Sequence, residues 1–312
     1  MNKQIAAGIG LALTSSAFIS SAFWSSSASA ACETQDTIDI ANMSWASASM
    51  LAHIESTIIS KGFGCKTNIV PGDSVPTATS MAKKGKPDIA PELWRSNVQA
   101  ILAEGESSGK IKVAGKVLSG VEAWWIPEYL AKQYPELKSV DDLPAYKHLF
   151  ADPEDPEKGR FYSCPPGWTC EIYNSNLFAA YGLNSDYNLF SPGSGAALNA
   201  SIASAYKRKK PWLGYYWAPT AILGKYKMVP LEMGAYDAEG HRCNGTPDCQ
   251  TPHAGRFPKA QVVTAVSGSL KNKGPAVYDF LANVSLKNSL VNKLLAWGED
   301  NKAEPEEIAA YF

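Results

Sequence analysis

Between Cys164 and Cys170 the chain reads Pro165-Pro166-Gly167-Trp168-Thr169. Two cysteines at this spacing, enclosing residues that favour turns, can close a small stiff ring. Trp168 is the only large apolar residue inside it, so the ring has no core of its own and holds an indole at its apex for contact with something else. The segment Glu171 to Tyr181 that follows has helical spacing. The ring therefore precedes a helix N-terminus, where free N–H groups and the helix dipole favour an anion. Thr169 and Cys170 are the expected donors. The plainer alternative is a surface turn stapled for stability.

A chain of 312 residues can build one large or two moderate cores, and two lobes are expected. Its 29 Lys and Arg balance 30 Asp and Glu, so nothing in the charge suggests nucleic acid or an acidic membrane as partner. A small molecule or a protein is expected instead. Lys3, the apolar run Ile5 to Phe23 and the small residues Ala28 and Ala30 read as a signal peptide over residues 1–30, cleaved before Ala31. That predicts a periplasmic protein; no cofactor is expected. Cys32 raises lipid attachment as an alternative, against which Ser29 stands where the attachment motif usually has Leu.

Six cysteines fit an oxidising compartment. The simplest pairing is Cys164 with Cys170, Cys243 with Cys249 and Cys32 with Cys65. A rival for the second short loop is a zinc site from His241, Cys243, Cys249 and His253. The disulfide is favoured, because Asn244-Gly245-Thr246-Pro247-Asp248 makes a natural tight loop, and no metal is expected.

Thr37 to Met43 alternates as a strand, with Ser44 as N-cap of a helix carrying Met50, Leu51, Ile54 and Ile58. Trp45 falls at the strand's carboxyl end, where ligands sit in open α/β sheets. A second unit of this kind, Pro87-Asp88-Ile89-Ala90-Pro91-Glu92-Leu93-Trp94, delivers Trp94 to the equivalent place. Ile111 to Pro127 reads as extended chain with a break at Ser119-Gly120, a place to cross into a second lobe. In Val121-Glu122-Ala123-Trp124-Trp125-Ile126, alternation puts Glu122 and Trp124 on one face and Ala123 and Trp125 on the other. One of the two indoles is expected in the core and the other at the cleft. Pro211 to Pro219 is a strand ending in aromatics, with Trp217 at its end. A strand from Met228 to Gly234 is expected to return to the first lobe, giving two crossovers and a hinge. The run Lys207-Arg208-Lys209-Lys210 is read as an exposed helix end, with a partner-docking surface as the alternative.

Catalytic signals are poor: no nucleophile elbow, zinc-protease helix, phosphate loop or dinucleotide fingerprint occurs. His53 reads as structural, and an enzyme is not expected. What recurs is tryptophan at strand and loop ends. Converging indole faces suit a permanently charged ammonium or sulfonium group, each contact contributing on the order of 0.5–2 kcal/mol when desolvated. Aromatic platforms also stack on sugars, so a sugar-binding module or hydrolase is the alternative, and a lipid-tethered adhesion-type protein is a third reading. The segments flanking these tryptophans carry few of the polar side chains that sugar hydroxyls need.

Glu92-Leu93-Trp94, Gly167-Trp168-Thr169-Cys170-Glu171 within its cysteine loop, and Tyr215-Tyr216-Trp217-Ala218-Pro219 resemble the substrate-binding proteins of ABC importers for glycine betaine, choline and trimethylamine N-oxide. The resemblance covers nearly all of the chain after the signal peptide. It implies an α/β, two-lobed periplasmic-binding-protein fold of type II that closes on ligand by hinge motion. Lobe I is expected over 31–119 and 227–312, and lobe II over 120–226. By analogy, Trp94, Trp168 and Trp217 form the cation box, with Trp45 as an additional wall and Glu122 or Trp124 as a further one. The amides of Thr169 and Cys170 would hold a ligand carboxylate, which favours a zwitterion such as glycine betaine or dimethylsulfoniopropionate over choline or trimethylamine N-oxide. A membrane permease and its ATPase are the implied partners.

Overall fold

The computed structural model describes residues 32–312, and the signal peptide read in residues 1–30 lies outside them. The framework is an alternation of strands and helices around a sheet in two halves. The strands are β1 (Ile38–Met43), β2 (Thr67–Gly72), β3 (Ile89–Trp94), β4 (Ile111–Pro127), β5 (Gly159–Tyr162), β6 (Tyr187–Phe190), β7 (Gly214–Ala218), β8 (Met228–Pro230) and β9 (Ala260–Ser267). Their order is β2-β1-β3-β9-β4-β7-β5-β6, with β8 also paired to β4.

β4 serves both halves. Ile111 to Gly120 pairs antiparallel with β9, and Val121 to Trp125 pairs antiparallel with β7. In the first half β1 lies parallel to β2 and to β3, which pairs antiparallel with β9. In the second, β5 lies parallel to β6 and to β7. Each parallel pair needs a crossover, and amphipathic helices supply it. The helix Ala46–Gly62 joins β1 to β2 and buries Met50, Leu51, Ile54 and Ile59 against the sheet. All six residues of β3 are buried, as expected for a strand covered on both faces.

Two expectations about the path fail. β8 pairs with Trp125 to Pro127 of β4 and stays with the second half of the sheet; the chain returns to the first half only with β9. A strand of three residues carries too little alternation to reveal which sheet it joins. Ser44 does not cap the first helix either. Trp45 occupies the N-cap position without a side-chain bond, and the Ser44 hydroxyl is engaged elsewhere.

All three expected disulfides form: Cys32–Cys65, Cys164–Cys170 and Cys243–Cys249. Cys32 therefore offers no thiol for a lipid, and the sulfurs of the alternative zinc site are bonded to each other. No helix among the described residues is long and apolar enough to cross a membrane.

Candidate ligand site

Trp45, Trp94, Trp168 and Trp217 line one small cavity between the halves of the sheet, with about 300 Å³ of space free of protein atoms. Ser74, Asn97, Glu122, Thr169, Cys170 and Tyr215 complete its wall. Trp168 meets Trp45 edge to face at 5.4 Å and Trp217 at 5.1 Å, so the ring in the stapled loop touches tryptophans from both halves.

The first wall is fixed by a carboxylate. Trp45 follows β1 and Trp94 ends β3, and both indole N–H groups donate to Glu92 Oε1, at 2.7 and 3.1 Å. The Ser47 hydroxyl adds a third bond at 3.0 Å. Glu92 and Trp94 are two residues apart on one strand and share a face. Between Ala90 and Leu93 the register against β9 shifts, a bulge that locally re-aims side chains. Burial pushes the Glu92 carboxyl above its usual range, and the bonds from Trp45, Ser47 and Trp94 oppose that shift. The break expected at Ser119-Gly120 does not occur: β4 runs through Gly120 and only changes partner there, and a side chain at Gly120 would run into the Trp94 ring.

The second wall comes from the stapled loop and β7. Trp168 is the N-cap residue of the helix Thr169–Ala180, and its indole donates to Ser44 Oγ at 2.8 Å and Asp73 Oδ1 at 3.1 Å. The Val75 amide donates to the Gly167 carbonyl at 3.4 Å, so the loop is docked across the cleft. Among the described residues no acceptor meets the N–H of Thr169 or Cys170, as first-turn geometry dictates. Gly195 lies against the Trp168 ring; an added Cβ would sit 3.1 Å from it.

Glu122 stands opposite Trp217 in the β4–β7 register. Its Oε1 accepts from Asn97 Nδ2 at 2.8 Å and from the Tyr215 hydroxyl at 2.5 Å. Burial lifts its carboxyl to about 7, against the two bonds that favour the charged form.

Trp124 is a correction. It shares a face with Glu122 but lies deeper, under the helix Thr169–Ala180, with no exposed surface and its indole bonded to Asn174 Oδ1 at 2.8 Å. Phe161 and Phe178 pack on it at 4.6 and 5.4 Å. Trp125 does not reach the cavity either, because its N–H bonds to the Tyr216 carbonyl. Neither tandem indole lines the cleft, so the expected division of roles between them does not occur.

Sequence pattern alone does not mark Glu92, Ser44, Asp73, Asn97 or Tyr215 as site residues. Glu92 and Tyr215 lie within the family-like motifs, which was the one available signal. Ser44 and Asp73 carry none, since their partner Trp168 is remote in sequence.

Four indoles and a helix N-terminus around a small space between two half-sheets are the makings of an α/β binding protein. Residues 36–312 match the family model described as the substrate binding domain of the ABC-type glycine betaine transport system. The chain belongs to that family of substrate-binding domains. Similar solved structures include a glycine betaine, L-proline ABC transporter binding protein from Borrelia burgdorferi, with 16% identity, a TM-score of 0.70 and coverage of 88% of this chain and 92% of that one. An ABC-transporter choline binding protein in complex with choline has 17% identity and a TM-score of 0.69, covering 90% and 87%. Lactococcal OpuAC, in its closed-liganded conformation with glycine betaine, has 17% identity and a TM-score of 0.66, covering 88% and 94%. At these identities the likeness establishes the periplasmic-binding-protein fold.

Proposed function

We propose that this chain captures a methylated onium zwitterion of the glycine betaine or dimethylsulfoniopropionate type and delivers it to the permease and ATPase of an ABC importer. The observation that carries the reading is the convergence of Trp45, Trp94, Trp168 and Trp217 on one buried space. An onium group offers no N–H to donate, so it is bound by ring faces, whose quadrupoles attract it, and by exclusion of water. Lys-like ammonium groups are disfavoured there, because their lost hydration finds no acceptors. The N–H groups of Thr169 and Cys170 at the helix N-terminus take the ligand's carboxylate.

In this reading lobe I comprises 31–119 with the return from β9 onward, and lobe II the chain between. β4 and β9 form the two crossovers, and the lobes hinge about them. The docking of Trp168 on Ser44 and Asp73 is the closed arrangement. The protein works in the periplasm after its leader is removed.

Titration calorimetry against glycine betaine, dimethylsulfoniopropionate, choline, trimethylamine N-oxide and a panel of sugars tests the proposal. Binding of the zwitterions ahead of the others is expected. A sugar that binds where no onium compound does would overturn it.

A further inference from the structure

Among the described residues, Glu122 is the one carboxylate lining the cage cavity. It is 5% exposed, and its Oε2 has no hydrogen-bond partner. The groups facing it are neutral: Asn97 beyond β3, Tyr215 on β7, and Tyr173 on the helix Thr169–Ala180, whose own hydroxyl ionisation is pushed up by burial and by Glu122. Glu122 also lines a second groove with Arg256, Lys259 and Glu232, and among the described residues no basic side chain bonds to it. A buried carboxyl without a cation of its own therefore borders a box of ring faces that favours one.

Two buried carboxylates thus play different parts. Glu92 Oε1 takes three donors that hold the rings; its Oε2 is also without a partner, but Glu92 does not line the cavity. Glu122 does line it, and its buried Oε2 has no partner.

We propose that Glu122 is the counter-ion of the onium group, and that seating a quaternary ammonium or sulfonium ligand expels the Glu122 proton. The O–H bond breaks, its electron pair stays on the carboxylate, and the proton passes to the buffer. The ligand's charge replaces the proton's, so below about pH 7 the empty site holds no unpaired buried anion. This rests on the onium reading above. By linkage, the ligand prefers the ionised carboxylate, so affinity rises with pH and levels off above about 7, where the empty site is already ionised. At about pH 6 the competent form is roughly a tenth of the population, and apparent affinity is about tenfold below its plateau.

The test is calorimetry with choline and glycine betaine from about pH 5.5 to 8.5, in pairs of buffers differing in ionisation enthalpy. Close to one proton released per site at the acid end, and almost none at the alkaline end, is expected. Glu122→Gln should flatten the pH profile, abolish proton release and weaken choline more than glycine betaine, whose carboxylate keeps its own donors. The wild-type proton count decides the matter even if that variant folds poorly. Onium binding with no proton release, or with proton uptake, overturns this inference and leaves the cage reading standing. Failure of every onium compound to bind at any pH overturns both.

Discussion

The chain contains two stapled rings of the same size, and they do different things. Cys164–Cys170 and Cys243–Cys249 each join cysteines six positions apart and enclose proline and glycine. The first ring projects an indole across the cleft to Ser44 and Asp73 and leaves two N–H groups free at the start of a helix. The second packs on the flank of that same helix. Asn176 donates to the Asn244 and Thr246 carbonyls at 2.9 Å, and His241 stacks on Tyr173 at 4.5 Å. One ring lines the cavity and the other buttresses the helix that follows it. Equal spacing therefore fixes a local shape but not a role, which depends on what lies opposite.

The largest expected effect separates the rings by ligand contact. Trp168→Ala and Trp217→Ala should each weaken onium binding at least tenfold, about 1.4 kcal/mol, while cooperative unfolding persists. Calorimetry beside a denaturation curve checks this, and unchanged affinity in both variants would remove these rings from the cage. Next comes the pair of double substitutions. Cys243→Ser with Cys249→Ser should cost about 2 kcal/mol of stability and leave affinity within about twofold. Cys164→Ser with Cys170→Ser should also loosen the amides, and so weaken glycine betaine more than trimethylamine N-oxide. Similar losses of affinity from both pairs would erase the distinction between the rings.

A smaller effect sharpens the buttress role through pH. His241 is buried against Tyr173, and desolvation pushes its pKa from 6.5 down to about 4. An unfolded chain binds that proton more readily, so the contribution of neutral His241 is full above about 6.5 and is lost as pH falls through about 4. His241→Gln should shallow the acid limb of the stability curve without moving ligand affinity at neutral pH. An unchanged acid limb would show that His241 does not report on this contact. The smallest change is Trp124→Phe, which loses the bond to Asn174 and some packing on Phe161. A destabilisation of about 1–2 kcal/mol with unaltered affinity is expected. A loss of binding there would restore Trp124 to the site.

The tryptophans that line the cavity were legible because each stands at a strand or loop end beside a turn, where an apolar ring has no local core to enter. Glu92 was harder to read. Its partners Trp45 and Ser47 lie more than forty residues earlier, and a carboxylate in a fully buried strand has no local signature. Alternation placed Trp124 on the same face as Glu122, which is where it lies, yet period two says nothing about depth along that face. Covering by the helix Thr169–Ala180 decides that one residue meets the cavity and the other meets Phe161 and Phe178.

By itself the sequence determined the local chemistry. It set the ring that stiffens the loop, the helix that opens at Thr169, the α/β alternation and the supply of indoles at element ends, because these depend on residues close in the chain. Only the tertiary structure decided which indoles meet, that Glu92 ties two of them, and that Glu122 lines the cavity. It also decided that the chain returns to its first half-sheet at β9. Those outcomes rest on strand pairing and burial between residues far apart in the chain, which no local pattern encodes.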